Sequence, residues 1–492
     1  MAQIWGVHGV PMAMQHDGWW LDNDPAPLPA TTRRSKWQGV ALVLLVLLAD
    51  VLFWGHSVGL SLALFAVAVF TVAVFAASHS RPPRASALLI LTLSVLPALD
   101  FVQPLSVLFL ICGLITAITL TRLGPTSAAT TLHAALSLTR HIPLRGLRDL
   151  IAAVSTLRPG LTASGAASGT ARQFARQIGR TWAFPVGGTL ILLALLIQAN
   201  PILDGWLSRL THLPIDPLLW VQRALFWSGV ALILWPLLVV APTPGPTGQK
   251  PLSLPSFGLN ATSVAHALIA FNTVLGLQAV LDLRYLWSGA SLPPGMTLAE
   301  YAHRGAYPLL ATALLAGAFA VAARPWLAER RSLKPLLILW LAQNILLTLS
   351  ALYRLDLYVQ SFGLTYLRVH ALIWIALVAA GLALTLTQIA LTRSNPWLLI
   401  RCLALGLATL YAAAFLNFAD LIARTNVAMG KVDAYYLCSL GPTAAASIPT
   451  VLKWPPGDSV CTFENPQPQN WRNWGFRNWL VLRTLTQQEA TP

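Results

Sequence analysis

Charge is what this chain has least of. Only 10% of its 492 residues are Asp, Glu, Lys or Arg, where a water-soluble domain carries about 25%, and that deficit excludes an ordinary soluble enzyme. Acid is scarcer still: 17 Asp plus Glu stand against 32 Lys plus Arg, a formal net charge of +15. Recognisable catalytic signatures are missing as well. There is no phosphate-cradling glycine loop, no His-Glu-x-x-His zinc motif and no Gly-x-Ser-x-Gly elbow. Nothing in the chain calls for a cofactor or a resident metal. What it has in abundance is apolar residues, 56% of the total, with a mean hydropathy of +0.64.

The apolar residues fall into runs of about 20, each long enough to cross about 30 Å of hydrocarbon. This predicts an all-α, polytopic transmembrane bundle of about 11 spans. Residues 1–36 read as a mobile, retained cytoplasmic tail ending in Arg33, Arg34 and Lys36, without the apolar core and cleavage site of a signal peptide. Four spans fill 37–121, ending near 55, 77, 100 and 121. Residues 122–180 form a cytoplasmic amphipathic and linker region. Within it Leu132–Leu157 suits helices lying flat on the membrane, 162–170 is a small-residue linker, and Arg172, Arg176 and Arg180 share one helical face that suits anionic headgroups. Two spans occupy 181–241 (about 181–199 and 218–241), and a Pro-rich linker covers 242–259. A five-helix core follows over 260–416, in runs of about 260–286, 302–323, 335–353, 366–391 and 396–416. The polar tail is 417–492.

Basic residues set the orientation. With the amino end in the cytoplasm, about twenty Lys and Arg face inward and about six remain in the outer loops, a bias that places the amino end in and the tail in the periplasm of a bacterial inner membrane. Cys438 and Cys461 are the only cysteines of the tail. In an oxidising periplasm a disulfide between them would contribute roughly 3 kcal/mol by loop entropy; two unrelated thiols are the alternative. Asn470–Arg483 interleaves Trp with Arg. Single-stranded bases have little to do with a periplasmic tail, so nucleic acid is not expected, and Trp471, Trp474 and Trp479 read as anchors of an interfacial helix.

The polar residues of the later spans gather at their outer ends. Asp282 and Arg284 close the seventh span. Glu300, His303, Arg304 and Tyr307 sit at i, i+3, i+4 and i+7 on one face of the eighth. Arg354 and Asp356 end the ninth, Arg368 and His370 open the tenth, and Asp420 follows the eleventh. Ionisable groups at this depth cost several kcal/mol unless paired or hydrated, so they should converge on one another or on a wet cavity. Three readings stay open. The groups lock the bundle as ion pairs and Tyr hydrogen bonds; or they line a cavity for an anionic amphiphile, with Arg304, Arg354 and Arg368 as forked donors; or Glu300 and His303, at the i, i+3 spacing of a carboxylate and imidazole metal pair, begin a catalytic site completed by His370 or Asp356. The last is opposed by Arg304, which would repel a cation. Asp50 and Asp100, single acids near span ends, read as solvated or tyrosine-bonded.

At the same positions the sequence resembles a bacterial membrane family, domain of unknown function number four-one-seven-three, over about 260–490. The likeness rests on Leu281–Trp287, Gly295–Pro308, Tyr353–Asp356, Leu416–Asp420, Leu440–Pro442 and Trp471–Trp474. It implies a two-part chain whose outer cluster matters; it names no substrate. The leading expectation is a pocket that binds or moves an anionic amphiphile such as a lipid-linked envelope precursor, with the bilayer and its headgroups as partners. The alternatives are a structural or signalling subunit that binds proteins and a membrane-embedded transferase.

Overall fold

The computed structural model describes residues 36–75, 85–123, 127–156, 217–239, 260–288, 298–449, 461 and 466–490, with Thr189 and Leu192 as isolated positions. The tail before residue 36, the span at 181–199, the small-residue linker, the Arg172–Arg180 face and the 242–259 linker lie outside them. Helices α1 (Lys36–Phe53), α2 (Leu60–Phe75), α3 (Ala85–Asp100), α4 (Pro104–Leu123), α5 (Ala128–Thr156) and α6 (Pro217–Val239) precede α7 (Ala261–Asp282), α8 (Leu298–Ala323), α9 (Leu333–Phe362), α10 (Tyr366–Ala390) and α11 (Asn395–Phe415). The polar tail adds α12 (Phe418–Ala428), α13 (Ala434–Ser439) and α14 (Phe476–Ala490). No strand occurs among the described residues. Six helices there are long and apolar enough to cross a membrane: α4, α6, α7 with the turn that follows it, α9, α10 and α11; α1, α2, α3 and Ala311–Leu327 are shorter apolar helices.

The chain divides into two compact units, one of residues 1–47, 71–81 and 138–241, the other of 48–70, 82–137 and 242–492. All the polar positions named at the span ends fall in the second.

Inside that unit α9 is central, with α7, α8 and α10 against it. Its buried residues Leu333, Leu337, Leu341, Asn344, Thr348 and Ala351 recur every three or four positions, the spacing that puts them on one face. Ala313, Ala316 and Ala320 of α8 join the same core, since small side chains let apolar helices approach closely in lipid. Asn272 of α7 donates to the Leu336 carbonyl of α9 at 3.0 Å. Large apolar residues such as Val274, Leu277, Leu315 and Leu399 point outward and are well exposed, as lipid-facing side chains must be. The α3–α4 hairpin is equally close: a Cβ on Gly113 would lie 2.2 Å from the Ser94 Cβ.

The ninth helix runs on to Phe362 instead of stopping near 353. Thirty residues at 1.5 Å each reach about 45 Å, longer than the about 30 Å of a bilayer's hydrocarbon. Gly363, at φ +77°, ends it. Asn426 of α12 holds the next residue, accepting from the Leu364 amide at 2.5 Å and donating to its carbonyl at 2.9 Å. Val359, Leu364 and Val369 then pack with Ala419, Ile422, Leu437 and Cys461 into a separate small core. Cys438 and Cys461 are joined there by a disulfide, their Cα atoms 4.8 Å apart.

The end of the tail returns to other helix ends on the same side. The Leu60 amide donates to the Trp474 carbonyl at 2.8 Å, and a Cβ on Gly59 would sit 2.4 Å from the Asn473 carbonyl carbon. Arg477 Nη2 donates to Asp100 Oδ2 at 2.5 Å and to the Ala414 carbonyl at 2.9 Å, with Nε at 3.1 Å from the same carboxylate oxygen. This corrects the reading of Asp100 as solvated or tyrosine-bonded, because a half-buried acid beside a buried guanidinium is neutralised within the chain. Asp50 is buried too, at 7% exposure, and so is not solvated. Gly59→Val should loosen the tail, since backbone cannot yield as a side chain can; limited proteolysis at 466–475 should be faster than in the parent protein.

Candidate functional site

The tail-side ends of α7, α9 and α10 are built by one long-range pair and one irregular turn. Asp282 is the last residue of α7, seven residues after buried Leu275, so it stays on the buried face. It is 1% exposed, Arg354 of α9 is 4% exposed, and Arg354 Nη2 donates to Asp282 Oδ1. Gln278, one turn earlier, donates to the same oxygen at 2.9 Å. Such a pair holds two helices in register, and a lone partner would be a buried charge.

Beyond Asp282 the helix widens into a π turn, Leu283–Trp287. The change of pitch turns Trp287 back toward α9, where Nε1 donates to Ser350 Oγ at 3.2 Å and the indole lies 5.1 Å from the Tyr353 ring, tilted by 32°. Irregular turns of this kind often mark sites. Trp287, Leu349, Leu352, Tyr353, Asp356 and Leu372 line a recess of about 350 Å³. Its wall is apolar and aromatic, with one carboxylate. Asp356 is exposed and accepts from Gln360 at 2.8 Å. Arg284, three residues before Trp287, is exposed.

The remaining expected site residues do not all meet here. Arg368 donates to the Phe362 carbonyl at 2.9 Å and to that of Gly363, and its guanidinium lies 4.6 Å from the Tyr358 ring centroid. His370 packs 5.6 Å from the Phe418 ring. Asp420 accepts from Ser447 at 2.5 Å and pairs with exposed Arg424 at 2.8 Å, a surface contact worth little. Asp282 thus accepts from Arg354 Nη2 deep between the helices, while half-buried Arg368 directs Nη1 to helix-end carbonyls. Glu300, His303, Arg304 and Tyr307 belong to α8, but their side chains lie outside the described ones. Among the described residues no three His, Cys, Asp or Glu side chains group to hold a metal.

The helical, lipid-facing architecture and the polar helix ends fall within one family match. The chain belongs to the family described as Domain of unknown function (DUF4153), matched over residues 86–450. Its number differs from the one that the sequence resemblance suggested, and the match reaches further toward the amino end. The DUF4153 region includes every expected ligand-binding residue from Asp282 to Asp420, and also Asp100; Arg477 and the rest of α14 lie beyond it. No curated protein and no solved structure matches the chain.

Sequence reasoning missed three participants. Trp287 closes the Leu281–Trp287 stretch without a role that the sequence suggests, Ser350 offers no pattern at all, and Arg477 is only one member of an interleaved Trp and Arg motif. A π turn has no sequence signature, so Trp287 had no signal beyond its place at a span end.

Proposed function

We propose that the protein is a bacterial inner-membrane protein of about 11 spans, amino end in the cytoplasm and tail in the periplasm. Its tail-side recess binds a lipid-linked, sugar-bearing phosphate such as an envelope precursor. The observation that carries this reading is the recess itself, where Trp287 and Tyr353 share a wall with the Asp356 carboxylate at the tail-side ends of α7 and α9. Sugar rings stack on flat aromatic faces, Asp356 accepts from hydroxyl groups, and exposed Arg284, in the same π turn as Trp287, is the cation proposed for the phosphate. A chain-borne acyl or prenyl tail would lie along Leu349 and Leu352. The bias of about twenty inward basic residues against six supports the orientation, as does a tail disulfide, which persists in an oxidising compartment.

A polyprenyl diphosphate sugar added to purified protein should raise its apparent melting temperature. At a hundredfold excess over Kd the stabilisation is about 2.7 kcal/mol, and phosphatidylglycerol should give much less. Trp287→Ala and Asp356→Asn should each remove most of the shift while leaving the unliganded protein folded. Equal shifts in parent and variants would refute the recess as the site.

A structural subunit is the second reading, favoured by the internal pairing of Arg354 and Arg368. It predicts a co-purifying protein and no shift with any lipid.

A further inference from the structure

The tail helix sorts its residues onto two faces with different employment. Arg477, Val481 and Leu485, spaced by four, are buried at 6, 6 and 7%. Val481 and Leu485 pack on Ala445, and Arg477 joins Asp100 and Ala414. Phe476, Trp479, Leu480 and Arg483, at i, i+3, i+4 and i+7, are exposed. So is Trp471 in the preceding turn. The outward rings are organised: Phe476 stacks on Trp479 at 5.7 Å, Arg483 lies 5.5 Å from the Trp479 centroid and Arg472 lies 5.0 Å from that of Trp471. Residues 470–488 contain no Asp or Glu.

Where this face lies is set by the other one. Its tethers are the start of α2 (Leu60), the end of α3 (Asp100) and the end of α11 (Ala414). Apolar helices begin and end where hydrocarbon gives way to headgroups, so a segment bound to three such ends lies along that boundary. An uncovered row of Trp, Phe, Leu and Arg there matches what headgroups offer: aromatic rings suit the boundary, and guanidinium suits phosphate.

We infer that Trp471–Arg483 is a bilayer-docking element, its outward face seated among the phosphate-bearing headgroups of the tail-side leaflet. The family match ends before it, at residue 450. This inference rests on the helices being membrane spans and not on the recess, so the two are tested separately.

The test uses the full chain with Cys112→Ser and Cys402→Ser, carrying a nitroxide at Leu480→Cys, in vesicles of phosphatidylethanolamine and phosphatidylglycerol. A second label at Lys431→Cys, in an exposed turn, reports water. The Leu480 label should collide several-fold more with oxygen than with a water-soluble nickel chelate, and the Lys431 label should show the reverse. Arg472→Glu with Arg483→Glu should raise nickel access at Leu480 severalfold. A Leu480 label as nickel-accessible as that at Lys431 overturns the inference, and so does a label shielded from both reagents, which would mean that a second copy or another protein covers the face. Unchanged access after the Arg replacements overturns the phosphate contact.

Discussion

Asp282→Ala is expected to destabilise the folded protein by about 3–5 kcal/mol, the range found when one member of a buried ion pair is removed. The effect comes less from the lost attraction than from Arg354, which would remain 4% exposed between α7 and α9 with the carboxylate gone. Asp282→Leu combined with Arg354→Met should recover most of the loss, since the double change leaves no buried charge. Unfolding of reconstituted protein in denaturant would measure both. A double variant as damaged as the single one would mean that the pair holds something other than register, and ligand-induced stabilisation would then be the place to look.

Arg477→Ala is the second large expected effect. It removes the two bonds to the Asp100 carboxylate and the one to the Ala414 carbonyl, and it withdraws the guanidinium that lies 4.9 Å from the Phe101 ring. The inward face of α14 would keep Val481 and Leu485 against Ala445, about 1.5–3 kcal/mol for each large side chain fully buried, and the bond from Gln488 to the Ala446 carbonyl at 3.1 Å. The loss is local. Amide hydrogen exchange should accelerate by about two orders of magnitude in Phe476–Ala490, matching about 3 kcal/mol, while α9 and α10 keep their protection. Asp100→Asn should produce a smaller change of the same kind, since the amide oxygen still accepts from Arg477. Equal protection of α14 in parent and Arg477→Ala would show that the tail is held by other means.

How much of this was readable in the sequence depends on the range of the interaction. Helix positions were, because hydropathy is local: expected spans at 85–100, 103–121 and 366–391 correspond to Ala85–Asp100, Pro104–Leu123 and Tyr366–Ala390. Pro97 does not break α3; the Leu93 carbonyl, which the missing Pro97 amide leaves without its helical donor, accepts from the Tyr411 hydroxyl at 2.8 Å. The end of α9 is not legible because the apolar run gives out near 353, whereas the helix continues to Phe362 on contacts such as Asp356 with Gln360. The gathering of polar groups at helix ends was likewise legible, as each end is marked in its own segment. Partners were not. Asp282 and Arg354 are 72 positions apart, and Asp100 and Arg477 are 377 apart; a count of charges shows that pairs must form but not which. That is why three Arg residues looked available to a ligand when two of them have acceptors within the fold.

The account depends on the ends of α2, α3, α7, α9, α10 and α11 that carry these polar groups lying at one membrane surface, with the tail over it. Single cysteines at Gln360, Lys431 and Thr392, in a chain lacking Cys112 and Cys402, would be challenged in intact cells with a membrane-impermeant maleimide. Positions 360 and 431 should label at once, and position 392, in the turn between α10 and α11, should label only after the membrane is opened. Labelling of 360 and 392 from the same side, or protection of 431 in intact cells, would contradict it.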